Sequence, residues 1–207
     1  MDNFLSFILL FFGSLIISFG SIPILVRIIK KFDIYNDPKE RDLHTAKIPK
    51  LIGLSFYFNI ILASFYLFIV HSDDRLLLLI TSITIIVYVG VRDDILIMSA
   101  WNKIFLQLVA IFIVVFPQGL VIYNLHGFLN IYVLPDFIAF PFTIFIGIFM
   151  INSFNLIDGI DGLAGMLALA MLTIYGVLFF IVEDLFLVNI IAILSGSIIA
   201  FLRYNLS

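Results

Sequence analysis

The sequence contains no cysteine, so no disulfide, haem thiolate or zinc-thiolate site can be built from it. Charge is scarce too. Only 12% of its 207 residues are Asp, Glu, Lys or Arg, about half the share usual in soluble domains. No stretch repeats with a period of about 20–50 residues, and no low-complexity tract interrupts the chain. The N-terminus carries no signal-peptide cleavage pattern. Its first apolar run is too long for the core of such a signal and leads into basic residues, so it reads as a retained span. Walker A, G-x-S-x-G and H-E-x-x-H patterns are absent.

Apolar residues are abundant: 63% of the chain is hydrophobic, and the mean hydropathy is +1.24. Such a chain belongs in a bilayer, where a span needs about 20 mainly apolar residues. Seven runs qualify: 4–29, 51–70, 76–91, 104–123, 137–151, 163–182 and 185–202. The third and fifth are near the lower limit. The expectation is an all-α, polytopic helical bundle of about seven transmembrane helices, in a single domain covering 1–207.

Orientation follows from Lys and Arg, which are retained on the cytoplasmic side. Arg27, Lys30, Lys31, Lys39, Arg41, Lys47 and Lys50 follow the first run, seven of the eleven basic residues. Alternating from there puts Arg92, Lys103 and Arg203 on the same side and leaves Arg75 alone outside. The N-terminus is thus expected outside. Three polar stretches then share the cytoplasmic face: 33–53, 92–103 and 152–161. The external pairs Asp73–Asp74 and Glu183–Asp184 read as water-facing helix caps, and His71 and His126 receive no role.

Residues 152–165, NSFNLIDGIDGLAG, are the strongest signal. Asn152, Asn155, Asp158 and Asp161 recur every three positions between long apolar runs, with Gly159, Gly162 and Gly165 beside them. On a helix they stay on roughly one side. In a loop the glycines leave bare backbone next to them. Either way their oxygens converge where phosphate and a hard cation could be held. Ionisable groups at membrane depth are costly and usually functional, though polar glue between helices is the alternative. The spacing does not fit an EF-hand.

Asp93 and Asp94 follow Gly90 at the end of the third run. They read either as a solvated helix end countered by Arg92 or as a magnesium or base site. Lys103 reads as a snorkelling lysine or as a phosphate contact, and Trp101 as an interfacial anchor. The loop holding Asp37, Pro38, Arg41, His44 and Pro49 sets topology whatever else it does.

Taken together, these motifs resemble the polyprenyl-phosphate N-acetylhexosamine-1-phosphate transferases, also grouped as glycosyltransferase family 4. Three motifs carry the resemblance. The first is D-P-x-x-R-x-x-H with I-P and a glycine after it (Asp37, Pro38, Arg41, His44, Ile48, Pro49, Gly53). The second is G-x-x-D-D followed by Lys and Gln (Gly90, Asp93, Asp94, Lys103, Gln107). The third is N-x-x-N-x-x-D-G-x-D-G-L-A (Asn152 to Ala164). Ile52 stands where the family usually has a first glycine of a Gly-Gly pair. The family also carries a Gly-Asp-x-Gly motif soon after a segment like that at 201–205; this chain stops at Ser207 before it and reads as C-terminally truncated, the N-terminal part of a longer family fold.

The resemblance implies transfer of N-acetylhexosamine-1-phosphate from a UDP-N-acetylhexosamine to undecaprenyl phosphate. UMP is released at the cytoplasmic face of the inner membrane, and cell-envelope glycan synthesis begins. It implies Mg2+ as cofactor with Asn155 as ligand. Asp93, Asp94, Asp158 and Asp161 would be catalytic, with Asp93 matching the residue proposed to deprotonate the lipid phosphate. Lys103, Asn152 and His44 would bind substrate. The lipid bilayer would be the partner surface, with no nucleic acid. The loop around His44 looks closer to the O-antigen (lipopolysaccharide) or teichoic-acid branch than to the peptidoglycan one. Two other readings stand beside this: a catalytically incomplete fragment, and a cation transporter.

Overall fold

The computed structural model describes residues 3–31, 53–96, 98–157 and 162–206. The chain is an all-α, polytopic membrane protein. Its helices are α1 (Asn3–Lys31), α2 (Leu54–His71), α3 (Arg75–Ile95), α4 (Ala100–Val115), α5 (Asp136–Ile157), α6 (Leu163–Ile181) and α7 (Leu185–Asn205). Six of them, all except α4, are long and apolar enough to cross a membrane. Helix is the state these segments must adopt, because lipid offers no partner for a free backbone N–H or C=O. The large side chains left exposed, such as Phe4, Phe65, Phe137 and Leu156, would be untenable in water in such numbers.

The apolar run 104–123 predicts a span, but α4 ends at Val115. Pro117 cannot continue the helix, and Gly119 turns the chain at φ 64°. The remaining apolar residues go into a short hairpin. There the Leu134 amide donates to the Tyr123 carbonyl at 2.8 Å and Leu125 donates to Tyr132 at 2.9 Å.

Two compact units emerge from the packing. One comprises residues 1–76 and 157–207, the other 77–156. In the first, α7 is the central helix and packs against α1, α2 and α6. Phe11 and Ser14 of α1 meet Gly196, and Phe19 meets Tyr204, so α1 and α7 run parallel. Asn59 meets Ser14 while Tyr66 meets Ser6, so α2 runs antiparallel to α1. α6 is antiparallel to α7, with Gly165 against Leu202 and Gly176 against Ile191. Lys30, Lys31 and Arg203 therefore share one end of this unit.

The opposite end holds Arg75, the cation that charge asymmetry leaves outside. Its guanidinium pairs with Asp73 and with Asp184, each at 2.6 Å, and sits 4.8 Å from the Phe186 ring centroid. Asp73 and Asp184 are thus partners of one cation as well as caps. Hydrogen bonds from Arg75 hold both carboxyls below their ordinary pKa. His71, beside them, lies 2.8 Å from the Asn189 amide nitrogen.

In the second unit α3, α4 and α5 alternate in direction. The Ser82 hydroxyl donates to the Ala110 carbonyl, joining α3 to α4. Gly147 lets α5 come close to Ile111 of α4, and Phe116 stacks on Phe140 with centroids 5.0 Å apart.

Candidate active site

The second motif and the first residue of the third, Asn152, meet at one end of the 77–156 unit. Asp93 and Asp94 lie in the last turn of α3, where the helix dipole disfavours negative charge. Lys103 lies in the second turn of α4, at the end that disfavours positive charge. Each is misplaced on its own helix, and each answers the other. Lys103 Nζ donates to Asp93 Oδ2 at 3.0 Å. The second carboxylate oxygen, Oδ1, accepts the Met98 amide at 3.3 Å, so Asp93 also ties down the α3–α4 turn. Ser99 caps α4 by accepting from the Asn102 amide. Both members of the ion pair keep some exposure, 33% for Asp93 and 20% for Lys103, so the pair is open to an incoming anion.

One turn further along α4 is Gln107, on the same face as Lys103 and only 1% exposed. Its amide pairs reciprocally with that of Asn152 on α5. Asn152 Nδ2 donates to Gln107 Oε1 at 3.0 Å, and Gln107 Nε2 donates to Asn152 Oδ1 at 3.4 Å. Asn152 Nδ2 also donates to the Ile148 carbonyl at 2.9 Å. One face of α4 therefore links the motif ending α3 to the motif ending α5, over four residues, a rise of about 6 Å. Asn155, a turn beyond Asn152, is exposed at the same end.

Gln107 is the residue whose role sequence spacing does not reveal. A glutamine inside an apolar run signals a buried partner, but nothing along the chain says that the partner is Asn152. Asp158, Asp161 and His44 lie outside the described residues, as do the other first-motif residues from Asp37 to Pro49.

The oxygen donors at this end are hard ones: the carboxylates of Asp93 and Asp94 and the exposed amide of Asn155. That is the donor chemistry magnesium takes. Among the described residues no three His, Cys, Asp or Glu side chains form a metal cluster. Magnesium requires none, since it binds through one or two carboxylates plus water and substrate phosphates. The residues present therefore fit the ion. An ammonium, two carboxylates and two amides suit phosphate chemistry by charge neutralisation and positioning.

Comparison with known proteins narrows the chemistry. The family model described as glycosyl transferase family 4 matches residues 76–207. The chain is 27% identical to a probable undecaprenyl-phosphate N-acetylglucosaminyl 1-phosphate transferase of Bacillus subtilis, over 88% of this chain and 51% of that protein. It is 27% identical to a phospho-N-acetylmuramoyl-pentapeptide-transferase of Staphylococcus haemolyticus, over 94% of this chain and 66% of that protein. It is 29% identical to the Streptococcus sanguinis protein of the same name, over 92% and 63%. The chain thus spans between about half and two thirds of the length of these relatives.

Proposed function

Because this chain belongs to glycosyl transferase family 4, we propose that it transfers N-acetylhexosamine-1-phosphate from a UDP-sugar to undecaprenyl phosphate, releasing UMP at the cytoplasmic membrane face. The observation that supports this most is the shared face of α4, with Lys103 on Asp93 and Gln107 on Asn152. The lipid phosphate is held at the interface by its tail, and the UDP-sugar comes from the cytosol. Only residues at the inner boundary can meet both.

An oxygen of the lipid phosphate attacks the phosphorus that bears the sugar. The P–O bond to the α-phosphate breaks, and UMP leaves with the electron pair. Both reactants are anions, so repulsion and positioning dominate the barrier. Lys103 leaves Asp93 and pairs with substrate phosphate. Asp93, released from the ammonium, accepts a proton from any lipid phosphate that arrives protonated. That fraction is small near neutral pH, since a phosphate's second pKa is about 6. Asn152 keeps the end of α5 in place through Gln107. Asn155 would hold magnesium with Asp94 beside it, and the ion would neutralise the diphosphate. Asp158 and Asp161 would line the nucleotide and sugar side, and His44 would contact substrate. The relatives' names divide between an N-acetylglucosaminyl and a muramoyl-pentapeptide donor; the first motif favours the former.

The test is UMP release from a panel of UDP-N-acetylhexosamines by the chain in nanodiscs, with undecaprenyl phosphate, with magnesium or with EDTA. Release that needs lipid phosphate and magnesium together is the expected result. Binding of both reactants without release would assign the chain a partial, non-catalytic role. Failure to bind any UDP-sugar would overturn the proposal.

A further inference from the structure

Between Lys103 and Asp136 the chain carries no Asp, Glu, Lys or Arg, yet it leaves the helix at Val115. α4 has 16 residues, about 24 Å of helix, short of the roughly 30 Å hydrocarbon core of a bilayer. α5, with 22 residues, is long enough at about 33 Å. The chain that follows α4 stays against α5. The Ile122 amide donates to Thr143 Oγ1 at 2.9 Å, and Thr143 passes its own proton to the Ala139 carbonyl at 2.8 Å. The Tyr123 and Phe140 rings meet edge to face, centroids 6.0 Å apart. Thr143 lies seven residues inside α5, about 10 Å along the axis from Asp136. Non-helical backbone thus begins below the end of α5, at a depth where lipid offers it no partner, and Thr143 supplies one.

From there the chain forms the hairpin closed by Leu125 on Tyr132 and Leu134 on Tyr123. Phe128 is six residues beyond Ile122. Even fully extended outward, at about 3.3 Å per residue, it stands only about 10 Å past Asp136. A headgroup layer is about 5–7 Å thick on each side, so any lean of the hairpin brings its tip into that layer. The tip is not composed like a loop in water. Phe128, Leu129, Tyr132 and Val133 are 69%, 76%, 66% and 71% exposed. Leu129 also holds a left-handed backbone, φ 54°, a conformation that crowds any Cβ. Glycine would turn there at no such cost. A strained, exposed leucine gains only where its side chain leaves water. Tyr123 and Tyr132 supply the amphipathic rings that favour headgroup level, and the Tyr132 ring lies over the backbone of Gly127.

We propose that the hairpin 123–134 is an interfacial anchor whose partner is the lipid surface. Phe128 and Leu129 enter the layer where acyl chains meet headgroups, at the membrane boundary opposite Lys103, and complete the crossing that α4 leaves short. This surface continues the lipid-facing side of α5, where Phe137 is 77% exposed. The seating is independent of what the chain catalyses. The test uses the purified chain in nanodiscs with Trp101→Phe, which removes the sole tryptophan, and Phe128→Trp. The quenchers are lipids brominated near the headgroup, lipids brominated near the chain end, and aqueous iodide. Phe145→Trp in the same background calibrates mid-membrane depth, because Phe145 is exposed well inside α5. The indole of Phe128→Trp should lose most of its emission to bromine near the headgroup, less to bromine near the chain end, and little to iodide. Tyr132→Trp should behave alike and carries the test if Phe128→Trp fails to fold. Iodide quenching as strong as that of a free tryptophan derivative, with no effect of bromolipid, would overturn the anchor and leave a water-facing surface for a protein partner. Stronger quenching from the chain end, as at Phe145→Trp, would overturn the interfacial placement.

Discussion

Replacing Gln107 with leucine should reveal the link between α4 and α5. The substitution keeps the volume and removes both reciprocal amide bonds, leaving the Asn152 amide half-satisfied next to a buried apolar group. Interhelical hydrogen bonds in membranes average about 0.6 kcal/mol in double-mutant cycles, so two of them give a coupling of about 1.2 kcal/mol, or about eightfold in the folding equilibrium constant. Gln107→Leu and Asn152→Leu should each destabilise the chain. The double variant should lose less than the sum, because removing both polar partners leaves neither orphaned. Trp101, the sole tryptophan, begins α4 and reports the transition by fluorescence during SDS unfolding. Single-variant effects that add to within about 0.3 kcal/mol, the behaviour of uncoupled sites, would refute the pairing.

Other perturbations probe the 1–76/157–207 unit. Arg75 lowers the pKa of Asp73 and Asp184 in the folded state, so protonation favours the unfolded chain. The stability they confer is present above the ordinary carboxylate pKa of about 3.9 and is lost as pH falls through the folded values. Thermal midpoints taken from pH 7 to pH 3 should fall on the acid side, and Arg75→Gln should flatten that fall. Gly196→Leu places a side chain against the Phe11 carbonyl oxygen, a backbone atom that cannot swing aside. It should destabilise the α1–α7 contact by about 3 kcal/mol or more, whereas Gly20→Ala, which meets nothing within 4 Å, should be neutral or mildly stabilising. SDS unfolding midpoints separate these two outcomes.

Much of the fold was legible because a bilayer leaves a long apolar run few choices besides helix. The run after Ile104 misleads at its far end. Leu120, Val121 and Ile122 keep hydropathy high after Pro117 and Gly119 have turned the chain, so composition hides a break that backbone geometry imposes. At the site, spacing brings Asp93 and Lys103 to the same boundary but does not say that they pair. The reason is three-dimensional: antiparallel α3 and α4 place the tenth residue after Asp93 back beside it. Gln107 was visible as part of a motif, yet its partner lies 45 residues away. Arg75 looked like an exception to charge asymmetry, and its two carboxylate partners, one of them on α7's cap, explain how it is accommodated.

The central claim is that the acidic end of α3, brought against α4 by Lys103, takes part in phosphoryl transfer. The most direct measurement is the rate of UMP release by Asp93→Asn relative to the unaltered chain, at matched folded protein in the same lipid. The account predicts a fall of at least about 100-fold, because Asp93 positions Lys103 and the α3–α4 turn and a misplacement of about 1 Å at a reacting site costs about that much. An unchanged rate in a folded Asp93→Asn variant would contradict it.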